Sequence, residues 1–309
     1  MPKIICGLLA EEEKNKIYCS FEFYPPRSDE AEQKLLEVDL PKFVKQNPVF
    51  LDLTWGAGGS TSEKTMRLSD ELQKRSGGLP VNMHITCTNM PKGLIMEGLE
   101  FAKAHDIRNI LALRGDPPAG QEFKANPDGF TCALDLIKFI KEKYGDHFSI
   151  STAGYPEGHP GKLDDEGKIT PEDYKKEIEY LKAKVDAGAR IIITQLFYDA
   201  DIFIKFVKDC RAAGITVPIL PGLLPVTRYA SLQRMVNLCK TYMPPEMKKK
   251  VEEVKDDDEA IKAYGVSQCV EMINKIRAAD IGVNHFHFYT INDCAQSFRV
   301  LQELGVYNE

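Results

Sequence analysis

The chain has 309 residues, of which 43% are hydrophobic and 28% charged, and its 40 Lys and Arg against 46 Asp and Glu give a net charge of -6. This composition is typical of a globular protein, and the excess of acidic residues argues against a general nucleic-acid binder. No apolar run approaches the roughly 20 residues of a membrane helix, so no membrane partner is expected.

Eight cysteines are spread through the chain, and none of them forms a C-x-x-C pair. This spacing excludes zinc-ribbon and redox-dithiol sites. Most of the cysteines lie in apolar segments, so we expect reduced thiols and a cytoplasmic location. Residues 1–16 are interpreted as an N-terminal extension. Their short apolar run is a poor signal peptide, because acidic residues follow it directly and no small-residue cleavage site does.

Short β-like segments alternate with longer helix-like segments along the chain. Eight strands are predicted, at residues 19–23, 50–54, 81–86, 109–114, 148–153, 191–196, 217–220 and 285–289. Such alternation predicts parallel strands with crossover helices, and eight repeats predict a closed (β/α)8 barrel. No linker divides the chain, so residues 1–309 are predicted to form a single catalytic domain. The charged segment 242–265 is predicted to be a surface insertion of short helices before the last strand.

Three helices have clear boundaries in the sequence. The clearest runs from about residue 171 to 187, with Thr170 as its N-cap and Gly188 as its stop. A second helix is predicted to begin at residues 60–63, which have the spacing of a capping box. A third is predicted over residues 200–213.

The functional side chains of such a barrel gather at the carboxyl ends of its strands. This rule selects polar residues that close apolar runs, namely Glu22, Thr54, His84, Arg114, Asp116, Tyr155, His159, Gln195 and Tyr289. Among them, Glu22 lies between two phenylalanines, where burial favours the protonated form and suits a general acid. The alternative for Glu22 is a carboxylate paired with Arg27 or another base.

The segment Arg114-Gly115-Asp116 follows the fourth predicted strand. The glycine lets the backbone approach a flat or phosphorylated ligand, Arg114 can hold a phosphate, and Asp116 can accept a hydrogen bond from a ring N–H. The alternative is a plain Arg–Asp turn. Farther along the chain, Glu177 and Lys184 lie two turns apart on the capped helix, either on a solvated face or reaching a ribose hydroxyl and a pyrophosphate.

Seven segments, taken together, resemble the methylenetetrahydrofolate reductase family. They occur in family order within residues 20–305, at residues 20–27, 111–117, 153–160, 184–189, 193–197, 221–225 and 287–292. The insertion near residues 244–265 is similar to that of eukaryotic members. The resemblance implies a barrel that holds FAD non-covalently and passes hydride from NADH or NADPH to 5,10-methylenetetrahydrofolate in a ping-pong reaction, giving 5-methyltetrahydrofolate. We also expect a homo-oligomer.

The resemblance also implies roles for individual residues. Glu22 resembles the acid that helps to open the folate ring to an iminium, and Asp116 resembles the carboxylate that favours this cation. Gln195 resembles the amide that reads the pterin, and Tyr289 is expected in the same substrate site. The implied flavin-binding residues are Thr54, His84, Arg114, Gly115, Asp116, Ala153, Tyr155, His159, Glu177 and Lys184.

The chain departs from the family pattern at two positions. Glu177 stands where an aspartate ribose contact is expected, and Met235 stands where a bacterial form has phenylalanine, so the choice between NADH and NADPH does not carry over. Eukaryotic members usually carry a regulatory domain after the barrel. This chain ends at Glu309, so inhibition by S-adenosylmethionine through such a domain is not expected.

Two alternatives belong to other functional classes. His285 and His287 share a strand face and, with His84, would serve a metal-dependent barrel hydrolase. No strand supplies a matching carboxylate set, so we expect wall histidines and no metal. The other alternative is a folate- or flavin-binding protein without turnover, but Glu22 and Asp116 argue against it because a passive binder needs no general acid.

Overall fold

The computed structural model describes residues 3–56, 59–116, 125–164 and 167–308. Within them, parallel strands form one barrel sheet: β1 Tyr18–Phe23, β2 Leu51–Leu53, β3 Val81–Thr86, β4 Asn109–Leu113, β5 Ser149–Gly154, β6 Ala189–Thr194, β7 Ile219–Leu220, β8 Gly222–Leu223 and β9 His285–Tyr289. All eight predicted strands are present, with ends that differ by up to about two residues. The predicted (β/α)8 barrel is confirmed.

Helices flank the sheet on the outside. Those in the described ranges are α1 Ile5–Ala10, α2 Asp29–Gln33, α3 Leu40–Lys45, α4 Ser62–Arg75, α5 Lys92–Ala104, α6 Ala133–Tyr144, α7 Pro171–Asp186, α8 Ala200–Ala212, α9 Tyr229–Cys239, α10 Pro245–Glu253, α11 Asp258–Ala278 and α12 Ala295–Glu303. A π-helical segment, Lys34–Asp39, joins α2 to α3. Among these helices, none has the length and apolar character needed to cross a bilayer.

The ring closes through a broken strand. The prediction of one seventh strand at residues 217–220 was too simple, because β7 pairs with β6 whereas β8 pairs with β9. Pro221 separates the two halves, since it lacks an N–H for the ladder, although its carbonyl still accepts from the His287 amide at 3.0 Å. Gly222 is required beside it, because a Cβ there would lie 2.2 Å from the Thr194 carbonyl oxygen.

Side chains alternate between the two faces of each strand. On β1, Phe21 and Phe23 point outward, and each ring centroid lies 4.8 Å from that of Phe43. Ser20 and Glu22 lie on the opposite face, inside the barrel, and β9 alternates in the same way. Each buried aromatic side chain contributes roughly 1.5–3 kcal/mol through the hydrophobic effect, so this outer layer is a major source of stability.

The amino ends of the strands are covered by α1. Ile5 and Leu9 on this helix join a buried apolar cluster with Phe50 and with residues of β6 and β7. The amide of Ile5 donates to Asn109 Oδ1 at 2.9 Å, and Asn109 Nδ2 donates to the Lys3 carbonyl at 3.2 Å. We call this end the base of the barrel and the opposite, carboxyl end its mouth.

Two predicted helix starts can be compared with the hydrogen bonds that the structure shows there. Thr170 Oγ1 accepts from the Asp173 amide at 3.1 Å, so the predicted start of α7 is confirmed. The second helix begins at Ser62, and its N-cap residue Thr61 makes no side-chain cap. The hydroxyl of Thr61 accepts instead from the Gly56 amide at 2.7 Å and so orders the loop before α4. The capping-box spacing of Ser60 and Glu63 places the N-cap one residue too early.

The segment 242–265 contains α10 and the first turns of α11. Its apolar side chains Met247, Val251 and Ile261 are buried against residues of α9 and the loops after β6 and β8. This packing fixes the segment beside the mouth of the barrel.

Candidate active site

A cavity of about 780 Å³ opens at the mouth of the barrel. Every residue that the sequence analysis assigned to substrate or cofactor contributes to its lining: Glu22, Thr54, His84, Arg114, Gly115, Asp116, Ala153, Tyr155, His159, Glu177, Lys184, Gln195 and Tyr289. The barrel brings them together because parallel strands place their carboxyl ends on one rim. The roles of these residues remain predictions, whereas their convergence is a property of the fold.

Two carboxylates and two imidazoles meet at the floor of the cavity. His84 Nε2 lies 3.7 Å from Glu22 Oε2 and 3.4 Å from Asp52 Oδ2. His287 Nε2 lies 3.7 Å and 3.5 Å from the same two oxygens. We call these four residues the floor cluster. All four are buried, so the charges in the cluster depend strongly on one another.

The electrostatics of the floor favour a proton on His84. Burial opposes a charged imidazole, but the close contact with the Asp52 carboxylate and the charge of Glu22 outweigh it and raise the pKa of His84 above 6.5. The neighbouring Tyr289 is kept neutral, since burial and the charge of Glu22 raise its pKa well above 10. Its hydroxyl donates to the Thr194 carbonyl at 2.6 Å.

The loop after β4 is held close to β3. Gly115 has φ +82°, and a Cβ there would lie 2.7 Å from Thr86 Cβ, so only glycine fits without displacement. Thr88 Oγ1 lies 2.6 Å from the Arg114 carbonyl oxygen and 2.8 Å from that of Gly115. These contacts fix the backbone between Arg114 and Asp116, so the segment is an ordered part of the cavity wall.

An aromatic and a histidine form another part of the wall. The ring centroids of Tyr155 and His159 are 4.9 Å apart, and His159 Nε2 lies 3.4 Å from a guanidinium nitrogen of Arg114. Burial and the charge of Arg114 lower the pKa of His159 to about 4, so this imidazole is neutral at neutral pH. Burial, assisted by the charge of Asp116, raises the pKa of Tyr155 to about 12.

A buried lysine lies at the side of the cavity. Lys184 is only 4% exposed, and its Nζ donates to the Ala153 carbonyl at 2.7 Å and lies 5.2 Å from the centroid of the Tyr180 ring. Burial lowers the pKa of Lys184 to about 8, although Glu177 opposes this shift. Burial also raises the pKa of Glu177. Of the two sequence interpretations, the solvated face therefore does not describe Lys184.

Gln195 lies at the rim, just after β6. The backbone N–H of Gln195 donates to the Gly154 carbonyl at 2.8 Å, and its side-chain Oε1 accepts from the backbone N–H of Leu196 at 2.9 Å. With the carbonyl oxygen engaged, the side-chain orientation is fixed. An oriented amide of this kind suits the recognition of a heterocyclic ligand edge.

The three histidines of the metal alternative do not form one site. His285 Nδ1 lies 2.6 Å from Glu12 Oε1 and its Nε2 lies 2.9 Å from Ser20 Oγ, so both ring nitrogens are engaged toward the base. In the described part of the chain, Glu22, Asp52 and His84 present ligand atoms within 4.8 Å of one another, so the expectation that no strand supplies carboxylates beside these histidines was wrong. Those atoms already make the ionic contacts of the floor cluster, and we treat them as an acid–base group.

The cavity fits a large, flat, phosphorylated ligand. Its volume lies in the range of cofactor pockets, which is roughly 300–1,000 Å³. The Gly115 backbone can approach a ligand closely, and Lys184 offers a buried positive charge that is matched by no ion pair at its Nζ within the described residues. These are the features that a dinucleotide with a diphosphate requires.

Some cavity residues were missed by the sequence analysis. Asp52, which lies beneath the lining in the floor cluster, carried a usable signal, because it stands two positions before Thr54 and therefore shares its inward face. Tyr180 also carried one, since it lies one helical turn before Lys184 on α7. Trp55 and Cys132, which also line the cavity, gave no signal that distinguishes them from core residues.

Comparison with protein families gives a match over nearly the whole chain. The family model described as methylenetetrahydrofolate reductase matches residues 8–305. A protein of Arabidopsis thaliana named "Methylenetetrahydrofolate reductase (NADH) 1" is 45% identical over 308 residues, which are 99% of this chain and 51% of that protein. A Caenorhabditis elegans protein named "Probable methylenetetrahydrofolate reductase (NADPH)" is 38% identical over 301 residues, 96% of this chain and 43% of that protein.

A bacterial relative is similar over most of its own length. The "5,10-methylenetetrahydrofolate reductase" of Pectobacterium carotovorum is 35% identical over 295 residues, 96% of this chain and 92% of that protein. By contrast, the chain spans about half the length of the plant and animal relatives.

Solved structures show the same fold. One belongs to an uncharacterized protein from Clostridium thermocellum, described as binding two copies of 5-methyl-5,6,7,8-tetrahydrofolic acid, and it aligns with a TM-score of 0.65 at 12% identity, covering 97% of this chain and 99% of that one. At this identity the likeness concerns the fold alone. The family model and the sequence relatives carry the assignment, and they confirm the resemblance of the seven motifs: the chain belongs to the methylenetetrahydrofolate reductase family.

Proposed function

We propose that this chain reduces 5,10-methylenetetrahydrofolate to 5-methyltetrahydrofolate with FAD as its bound cofactor and NADH or NADPH as the source of hydride. The observation that carries the proposal is the convergence of all the predicted site residues on one cavity, with a buried acid at its floor. Bound FAD would supply the hydride chemistry, which amino-acid side chains cannot perform. The protein would supply binding, orientation and proton transfer.

The wall of the cavity would hold the cofactor. Lys184 and Arg114 are the cations that suit the diphosphate, and Glu177 faces Lys184 where a ribose hydroxyl can be bound. The loop at Gly115 would allow close approach of the backbone. The remaining predicted contacts come from the ends of β2, β3 and β5 and the loops after them, and they are Thr54, His84, Ala153, Tyr155 and His159.

The floor and rim would act on the folate. The reaction consumes one proton for each hydride transferred, and Glu22 would give that proton to the folate nitrogen as the five-membered ring opens. The carboxylate of Asp116 would favour the cationic intermediate by Coulomb attraction. Gln195 and Tyr289 line the same cavity and would position the pterin.

The relatives bear names of both NADH and NADPH enzymes, so the proposal includes either nicotinamide. We further propose a cytoplasmic homo-oligomer. The eight cysteines are all free thiols, which fits a reducing compartment.

The proposal is tested by purifying the chain and recording its absorption spectrum with and without added FAD. We expect a flavin spectrum that bleaches anaerobically on addition of NADH or NADPH and returns on addition of 5,10-methylenetetrahydrofolate. A colourless protein that remains inactive after FAD is added contradicts the proposal.

A further inference from the structure

A continuous line of hydrogen bonds runs through the interior of the barrel below Glu22. His287 Nδ1 lies 2.8 Å from Ser20 Oγ, and the same hydroxyl lies 2.9 Å from His285 Nε2. His285 Nδ1 then lies 2.6 Å from Glu12 Oε1. Ser20, His285 and His287 are at most 1% exposed, so this line passes through the buried centre of the protein.

The lower end of the line reaches a second cavity. Glu12 and His285 both line a space of about 170 Å³ at the base, on the opposite side of the barrel from the mouth. The Glu12 side chain is 6% exposed, which leaves its carboxylate a narrow access to solvent. Glu12 follows α1, so the N-terminal segment both covers the base and provides the last group of the line.

The upper end of the line reaches the floor cluster. His287 Nε2 makes no hydrogen bond, although it is fully buried and only 3.7 Å from Glu22 and 3.5 Å from Asp52. Both oxygens of Asp52 and Nε2 of His84 also lack hydrogen-bond partners. Buried polar atoms without partners are costly, and such groups concentrate where protons or ligands are exchanged.

We propose that Glu12, His285, Ser20 and His287 form a relay that carries protons from the base of the barrel to Glu22. The inference rests on the proposed function, in which Glu22 gives up one proton in every cycle. Because the reaction partners enter through the mouth, they cover Glu22, whose side chain is only 8% exposed even without them. A supply from the base does not depend on the mouth being open.

The transfer balances along the line. Glu12, protonated from solvent, gives its proton to His285 Nδ1, and His285 Nε2–H gives its proton to Ser20 Oγ. Ser20 passes its own hydroxyl proton to His287 Nδ1, and His287 Nε2–H protonates the Glu22 carboxylate. One proton leaves solvent and one arrives on Glu22, with no charge left between them. The passage reverses the tautomers of His285 and His287, so both rings and the Ser20 hydroxyl turn back before the next proton passes. Burial lowers the pKa of His285 although Glu12 opposes this shift, which suits a neutral imidazole that passes protons on.

The environment of His287 limits which groups can take part. Ser20 and Glu22 face it from β1, Asp52 from β2 and His84 from β3. On its own strand it is flanked by His285 and by Tyr289, whose ring centroid is 5.3 Å away. The stacked ring of Phe50, 5.9 Å from its centroid, contributes no titratable group. Asp52 and His84 can therefore share the arriving proton, but they lead no farther toward the base.

The central test replaces the hydroxyl in the middle of the line. Ser20→Ala removes one oxygen and keeps both imidazoles, and Ser149→Ala, another buried strand serine, is the matched control. In Ser20→Ala we expect the first turnover of pre-reduced enzyme to keep its rate, because only later turnovers draw a new proton along the line. We expect steady-state turnover to fall about tenfold and its decline at high pH to begin at a lower pH.

Other results would overturn the relay. An equal loss of rate in the first and later turnovers of Ser20→Ala indicates a structural role for Ser20. Unchanged rates and an unchanged pH profile in this variant mean that the line carries no protons. If the wild-type protein itself does not reduce the folate, the proposed function fails instead, which is a separate result.

A second measurement needs no turnover. In protein with ¹⁵N-labelled histidine, we expect Glu12→Gln to change the ring-nitrogen shifts of His287, two hydrogen bonds beyond His285, because the tautomers along a connected line are coupled. Glu11→Gln, at the exposed neighbouring position, is the control. If the ring-nitrogen shifts of His287 do not change in Glu12→Gln, the line is not continuous, and this result does not depend on which reaction the protein catalyses.

Discussion

The two ends of the barrel solve opposite problems. At the base, Ile5 and Leu9 cover the strand ends with apolar side chains, and Asn109 is hydrogen-bonded on both sides. At the mouth, Asp52 and His84 are buried without complete hydrogen bonding. The base and the outer layer supply stability to the fold. That stability allows the floor cluster to keep polar groups with incomplete hydrogen bonding, which are available for chemistry.

The largest effect is expected at the mouth. Replacing the acid in Glu22→Gln should slow oxidation of the reduced flavin by 5,10-methylenetetrahydrofolate by about 10²–10⁴-fold, because a general acid contributes about that much. FAD content and flavin reduction by NADH or NADPH should persist. Stopped-flow absorbance of the two half-reactions measures both, and equal loss in both would contradict the assigned role.

The next effect is expected at the base and concerns stability. Ile5→Ala should lower the free energy of unfolding by about 2–5 kcal/mol, since it leaves a hole in the apolar cluster. Ile4→Ala, at the neighbouring 38% exposed position, is the matched control and should have little effect. Urea denaturation measures both variants. An Ile5→Ala protein as stable as the control would show that α1 does not secure the base.

A smaller effect at the mouth should separate binding from catalysis. Asp116→Asn removes one negative charge and keeps the shape of the side chain, so folate reduction should fall by about tenfold to hundredfold. FAD affinity should change less. Flavin titration and the folate half-reaction decide the matter, and the interpretation fails if loss of flavin is the main result.

The smallest effect concerns the charge of Lys184. With a pKa of about 8, this lysine loses its proton as the pH rises, and a diphosphate binds the protonated form better. FAD affinity should therefore fall about tenfold between about pH 7 and about pH 9. Lys184→Met should bind FAD more weakly and without this pH dependence, whereas Lys182→Met, on the outer face of α7, should behave like the wild type. Fluorescence titration of FAD measures all three proteins, and a wild-type affinity that is independent of pH would contradict the role.

Local patterns in the sequence predicted those parts of the molecule that local physics determines. The alternation in β1 and the cap at Thr170 depend on neighbouring residues, and both appear as expected. The rim residues were predictable because parallel strands must end together. The break at Pro221 was missed, since its effect depends on which strands lie on either side. The contact of Glu12 with His285 joins residues 273 positions apart, and no spacing rule reaches that far.

The broken strand β7–Pro221–β8, which we call the seam, has a consequence for local opening of the barrel. On each side of this proline only two residue pairs join the neighbouring strand, whereas β5 and β6 share five. Amide protons along the seam should exchange with deuterated solvent sooner than those of the β5–β6 ladder, because less structure must open to release them. The barrel would thus open first between β6 and β9, next to Tyr289 at the end of β9.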